Sequence, residues 1–247
     1  MPKQSLLLIS NSKPFGGGYL DHCAQAIQSM LSPHEVSSIL FFPFALADHD
    51  GYTRTVRERF GRMGIEVTGA HQARDLSHAI EEAQAFFIGG GNTFRLLNAL
   101  DQEDTVWPDR RTSVGDHIRE KVQAGTPYIG TSAGANVACP TIQTTNDMPI
   151  VEPDGFYALD LVPFQINPHY LDPDPTSRHM GETRETRIKE YHEENATPVI
   201  GLREGAWLHI DGAKTYLQGT SGAKLFRRGK QPRELENGLI NPTFLNP

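Results

Sequence analysis

The sequence predicts a single α/β domain built on a mainly parallel sheet and ending in an antiparallel meander. Three observations carry that expectation. Short apolar runs alternate with segments of helical period along most of the chain, which is the pattern of βαβ units. The segments Ala206 to Ile210, Thr215 to Gln218 and Lys224 to Arg227 instead alternate apolar with polar residues, and the turn dipeptide Asp211-Gly212 separates the first two. Finally, 247 residues are enough to bury one sizeable core without requiring a second domain, so residues 1–247 are read as one unit.

Taken in order, Ser5 to Ser10 reads as the first strand, and Leu20, Ala24, Ile27 and Leu31 then share one helical face. Ser38 to Phe42 is a second strand, followed by a helix with Val56, Phe60 and Met63 on one side. Ile65 to Thr68 and Ala85 to Ile88 are two more strands, with a short helix from Asp75 between them. Asp101 to Thr112 is polar, contains Pro108 and reads as an exposed loop. Val114, Ile118 and Val122 mark a helix stopped by Gly125, after which Pro127 to Gly130 re-enters the sheet. Further on, Leu161 to Ile166 and Val199 to Leu202 are strand-like and flank a charged helix from about Glu182 to Glu194. No internal repeat or low-complexity tract interrupts this order.

Composition excludes several classes. The formal net charge is -7 and the basic residues are spread along the chain, so there is no patch to neutralise a phosphate backbone and nucleic acid is not expected as a partner. The two cysteines, Cys23 and Cys139, lie far apart in dissimilar contexts, which argues against a disulfide framework and for a reducing compartment. Pro2-Lys3-Gln4 and a short strand-like run lack the apolar core of a signal peptide, and no later stretch reaches membrane-spanning length. The expectation is a cytoplasmic protein that contacts no membrane.

The chemistry concentrates at a few places. Gly130-Thr131-Ser132-Ala133-Gly134 matches the G-x-S-x-G elbow, between a short apolar strand and a small-residue helical start. Small neighbours let such a turn close while the hydroxyl projects above the sheet edge, and the amide of Ala133 would face a developing oxyanion from a helix N-terminus. The pattern is short and also fits a glycine-rich turn with a capping serine, so it needs partners. His169 follows Asn167-Pro168 just past a strand, where open α/β sheets carry their sites, whereas His22, His34 and His192 have structural readings on helices. Glu204 directly follows Val199 to Leu202, with a surface-turn carboxylate as its plain alternative. A hydroxyl nucleophile needs a base, and the base needs an acceptor that fixes its tautomer, so the three strand ends would converge on one crevice. Asp147 and Asp160 precede His169 and are rival acceptors, ranked below Glu204.

Gly89-Gly90-Gly91-Asn92-Thr93 joins a strand to a helix and could supply a second oxyanion donor at Gly91, although a tight connection explains it equally well. It lacks the lysine and serine of a P-loop. His169, Asp172 and Asp174 resemble metal ligands, but Pro173 and Pro175 suit a stiff solvated loop, and no metal is expected. Cys139 precedes a proline and reads as a packing residue.

Together these stretches closely resemble peptidase E, the α-aspartyl dipeptidase family of serine peptidases. The matching segments are F-F-I-G-G-G-N-T-F-R-L-L from Phe86, Y-I-G-T-S-A-G-A-N-V-A-C-P-T-I-Q-T-T-N-D-M-P-I-V from Tyr128, Q-I-N-P-H from Gln165, G-E-T-R-E from Gly181 and I-G-L-R-E-G from Ile200. The resemblance implies hydrolysis of dipeptides with an N-terminal aspartate, without metal or cofactor, by a Ser-His-Glu triad carried onto Ser132, His169 and Glu204. It also implies a flavodoxin-like fold akin to class I glutamine amidotransferases, with helices on both sheet faces, and a homodimer. Gly91 and Ala133 would form the oxyanion hole, Arg184 and Asn92 would bind substrate, and Asp147 would support the site. A bidentate guanidinium on the substrate's side-chain carboxylate is a sound basis for an aspartyl preference. Two features depart from the family: Thr131 stands where some relatives carry an aromatic residue, and the 101–112 segment is longer than the usual connection. The alternatives are a cyanophycinase-like peptidase acting on aspartyl polymers and a catalytically silent protein that binds a small acidic ligand.

Overall fold

A computed structural model describes residues 4–104, 112–174, 176, 178 and 181–245, with the backbone alone at 103 and 104. Its first half follows the expected alternation: β1 (Ser5–Ile9), α1 (Ala24–Leu31), β2 (Ser38–Phe42), α2 (His49–Gly61), β3 (Glu66–Gly69), α3 (Leu76–Glu81), β4 (Phe86–Ile88) and α4 (Thr93–Leu100). A short antiparallel pair, β5 (Glu103–Asp104) with β6 (Thr112–Ser113), leads into α5 (Val114–Gln123), β7 (Tyr128–Thr131) and α6 (Ala133–Asn136). The second half holds β8 (Gln165–Pro168), α7 (Arg184–Glu194), β9 (Val199–Leu202), β10 (Ala206–Asp211), β11 (Lys214–Gly219), β12 (Ala223–Phe226), β13 (Arg233–Leu235) and β14 (Gly238–Leu239).

Helix starts follow local chemistry. Asp48 and Asp75 accept the amides of Gly51 and His78, and Ser113 with Asp116 forms a reciprocal capping box at α5.

The main sheet has the order β14-β11-β10-β1-β7-β4-β2-β3, in which β1, β7, β4, β2 and β3 are parallel and β10, β11 and β14 extend one side antiparallel. The inner parallel strands β1, β7, β4 and β2 are covered on both faces, which is why they read as apolar runs, whereas the edge strand β3 alternates buried with exposed residues. Leu6 and Leu8 of β1 join a core with Leu96 and Ile118, while Leu7 and Ile9 face Ile27, Val56 and Phe60. None of the described helices is long and apolar enough to cross a membrane.

Four expectations need correction. The meander divides: β10 and β11 pair in the main sheet, but β12 pairs with β9 in a second sheet of order β13-β12-β9-β8. The strand expected at Leu161 to Ile166 begins only at Gln165, because the apolar residues Leu161, Val162 and Phe164 are buried as irregular backbone. Leu20 is buried but has φ 55, so it belongs to a turn and the helix starts at Ala24. The charged helix starts at Arg184, where the Thr183 side chain accepts the amide of Thr186. The loop expected at Asp101 to Thr112 lies largely outside the described residues.

Candidate active site

Strand β7 ends at Thr131 and α6 begins at Ala133, so Ser132 makes the whole turn. It does so at φ 50 and ψ -107, a left-handed conformation that costs a non-glycine residue on the order of 1–3 kcal/mol. Its N–H donates to the Ile9 carbonyl at 2.9 Å. The glycines two residues to either side are steric requirements. A Cβ on Gly130 would lie 2.4 Å from the Gly134 carbonyl oxygen, and one on Gly134 would lie 2.2 Å from that of Ile88. Ala133 N–H belongs to the first helical residue and has no partner within its helix.

His169 follows β8 directly, also with positive φ, at 54. Its Nε2 lies 2.9 Å from Ser132 Oγ and its Nδ1 2.6 Å from Glu204 Oε1. With the proton on Nδ1 donated to the carboxylate, Nε2 is left to accept from the hydroxyl. Glu204 stands after β9, which runs parallel to β8, so the base and its acceptor come from the ends of adjacent strands of the second sheet. Both side chains are more than a third exposed, so their pairing orients the ring and adds little to stability.

These groups open on a cleft of about 740 Å³ that Gly91, Thr93, Asp147 and Arg184 also line. Asp147 Oδ2 accepts the Thr93 N–H at 2.7 Å and the Thr93 hydroxyl at 2.6 Å, which ties the segment before β8 to the start of α4. Arg184 is half-buried at the first residue of α7, where the helix dipole opposes a cation. Burial and Arg187 lower its pKa while Asp147 partly offsets them, and no carboxylate among the described residues forms a salt bridge with it. A desolvated guanidinium of this kind is suited to an anion brought by a ligand.

Residues 6–217 match Peptidase family S51. The chain belongs to that family. It is 51% identical over 234 residues to a protein named Peptidase E from Streptomyces coelicolor, covering 95% of this chain and 92% of the relative. It is 46% identical to a probable alpha-aspartyl dipeptidase from Drosophila melanogaster, covering 98% of this chain and 97% of the relative. Among solved structures, a putative Peptidase E protein from Listeria monocytogenes superposes with TM-score 0.65 at 23% identity, over 89% of this chain and 100% of the other. A peptidase from an acI-B1 Actinobacterium gives 0.68 at 16% identity, over 96% and 97%. The last two establish the shared fold.

The S51 chain brings Ser132, His169, Glu204, Gly91, Asp147 and Arg184 to one cleft, and leaves other expected residues out of it. Asn92 does not line it: its Oδ1 caps α4 by accepting from Arg95 N–H, and its Nδ2 donates to the Met148 carbonyl at 2.9 Å. The Asn92 side chain is thus engaged in the α4 cap and with Met148 and does not line the cleft where substrate binding is expected of it. Asp160 is exposed and does not line the cleft, and Asp147 is engaged by Thr93, so neither rival acceptor meets the His169 ring. Thr131 is fully buried, so its departure from some relatives does not reach the cleft lining. Asp172 is held by Arg203 at 2.7 Å and Lys224 at 2.9 Å, and these partners lower its pKa. Among the described residues there is no cluster of three metal-ligating side chains. Cys139 is fully buried, and burial pushes its thiol pKa up.

Sequence reasoning passed over Ser10, Asn11 and Lys13. Asn11 and Lys13 line the cleft just beyond β1. The rule that pointed to His169, position beyond the carboxyl end of a strand, applies to all three.

Proposed function

We propose that this chain is a serine dipeptidase that hydrolyses dipeptides with an N-terminal aspartate, with Ser132 as nucleophile, His169 as general base and Glu204 as the group that orients the histidine. The observation that carries the reading is the continuous line of contacts, 2.9 Å from Ser132 Oγ to His169 Nε2 and 2.6 Å from His169 Nδ1 to Glu204. The names of the relatives, Peptidase E and probable alpha-aspartyl dipeptidase, support the substrate class.

In this mechanism Ser132 Oγ adds to the aspartyl carbonyl carbon as its proton passes to His169 Nε2. The oxyanion is received by the amides of Ala133 and Gly91, whose positive φ of 139 brings its backbone against Ala45 and suits glycine alone. The His169 imidazolium, stabilised by Glu204, then protonates the departing amine, leaving an aspartyl ester on Ser132. Water activated by the same ring hydrolyses the ester and restores the hydroxyl. Arg184 takes the substrate's β-carboxylate, and Asp147 supports it by placing negative charge nearby and bracing the start of α4. A cytoplasmic homodimer is the setting that belongs to this reading, and the two buried free thiols agree with a reducing compartment.

Steady-state hydrolysis of Asp-Leu by wild-type protein and Ser132→Ala tests the reading. The variant should lose more than about 10⁴-fold in kcat/KM, and near-normal turnover by Ser132→Ala would end the proposal.

A further inference from the structure

Three successive residues at the end of β1 contact the three segments that carry the proposed reacting groups. The Ile9 carbonyl accepts the N–H of Ser132 at 2.9 Å. The hydroxyl of Ser10 accepts the N–H of His169 at 2.9 Å and donates to the Leu202 carbonyl at 2.8 Å. The side-chain oxygen of Asn11 accepts the N–H of Gly205, next to Glu204, at 2.8 Å. Ser10 and Asn11 are both buried, and the Ser10 N–H continues the ladder to the Ala206 carbonyl at 3.1 Å. One dipeptide beyond the main sheet therefore joins it to the ends of β8 and β9 in the second sheet.

From this geometry we infer that Ser10 is a positioning residue for the Ser132–His169 proton transfer, with Asn11 doing the same for Glu204; the inference rests on the triad proposed above. His169 needs such a support because φ 54 is unfavourable for a residue with a Cβ, so an unrestrained backbone would relax and carry the imidazole with it. Other polar groups fasten β8 itself. Asn136 and Thr144 donate to the Ile166 carbonyl at 2.7 and 2.8 Å, and Asn146 donates to that of Pro168 at 2.6 Å. They stop before His169, whose own amide is held by Ser10. The hydroxyl is required in both directions at once, as acceptor from His169 and donor to Leu202, so alanine forfeits both bonds and threonine can keep them.

The experiment compares wild-type protein with Ser10→Ala, Ser10→Thr and Asn11→Ala. It combines Asp-Leu kinetics with the rate of covalent labelling by a fluorophosphonate, a serine-directed probe that is independent of the dipeptide. Misplacing the ring should lower kcat and the labelling rate of folded Ser10→Ala by about 10-fold to 100-fold. KM should stay within about threefold, because substrate contacts are untouched, and Ser10→Thr should recover most of the loss. Should Ser10→Ala fail to fold, Asn11→Ala carries the test through the labelling rate alone, because Asn11 also lines the cleft and its loss can move KM. A folded Ser10→Ala or Asn11→Ala that labels and turns over at the wild-type rate, even with a lowered Tm, overturns the inference, since a merely structural residue would behave in that way. Wild-type protein that labels at Ser132 without cleaving Asp-Leu would sink the substrate reading and leave the labelling comparison to decide the role of Ser10.

Discussion

The Ser132 turn and the His169–Glu204 pair reach the same cleft by different physical routes. The steric conditions of the turn lie within two residues of the serine, at Gly130 and Gly134, where any Cβ would meet backbone at 2.4 and 2.2 Å. His169 and Glu204 have no comparable local device. Their backbone is anchored by Ser10 and Asn11, across 159 residues from Ser10 to His169 and 194 from Asn11 to Gly205. The first region is set by backbone sterics that a short motif encodes. The second depends on docking one sheet onto another, which no local segment encodes.

Two substitutions separate these regions. The larger effect belongs to Gly134→Ala, because the new methyl would meet the Ile88 carbonyl, which is held in the parallel ladder of β4 and cannot retreat. That overpacking should cost about 1–3 kcal/mol of stability and remove both serine labelling and Asp-Leu turnover. Thermal unfolding with an activity assay checks it, and a fully active variant of unchanged Tm would show that the turn tolerates a Cβ.

The narrower effect belongs to Arg184→Met, on the helix that leads into β9. It removes a guanidinium that touches neither Ser132 nor His169 in the contacts described, so labelling of Ser132 should persist. Asp-Leu turnover should fall by about 10-fold to 100-fold relative to Ala-Leu, a loss of roughly 1.4–3 kcal/mol of charge-assisted recognition. An unchanged preference between the two dipeptides rejects the role assigned to Arg184.

The same contrast explains what could be read from the sequence. The central strands β1 and β4 are buried on both faces, so Leu6 to Ile9 and Phe86 to Ile88 announce themselves as apolar runs. The elbow is legible because its glycines have a mechanical reason. The second sheet was hidden for opposite reasons. β8 buries the polar side chains of Gln165 and Asn167, while the more apolar Leu161 to Phe164 before it is irregular. The period-two pattern of β12 would suit either sheet, and only tertiary packing selects β9 as its partner. The cap formed by Asn92 was legible too, since an asparagine directly before a helical run satisfies the helix amides, and its Oδ1 accepts the Arg95 N–H.

The central claim is that one hydroxyl, that of Ser132, carries the covalent step. Fluorophosphonate labelling followed by intact-mass measurement and peptide mapping tests it most directly. Burial pushes the Cys23 thiol up to about 12 and raises that of Cys139 further still, so neither cysteine should compete for the probe. The account predicts a single adduct on Ser132, formed in step with the loss of Asp-Leu hydrolysis and slowed by about 10²-fold to 10⁴-fold in His169→Ala. An adduct on any other residue, or full hydrolysis by protein whose Ser132 is completely modified, would contradict it.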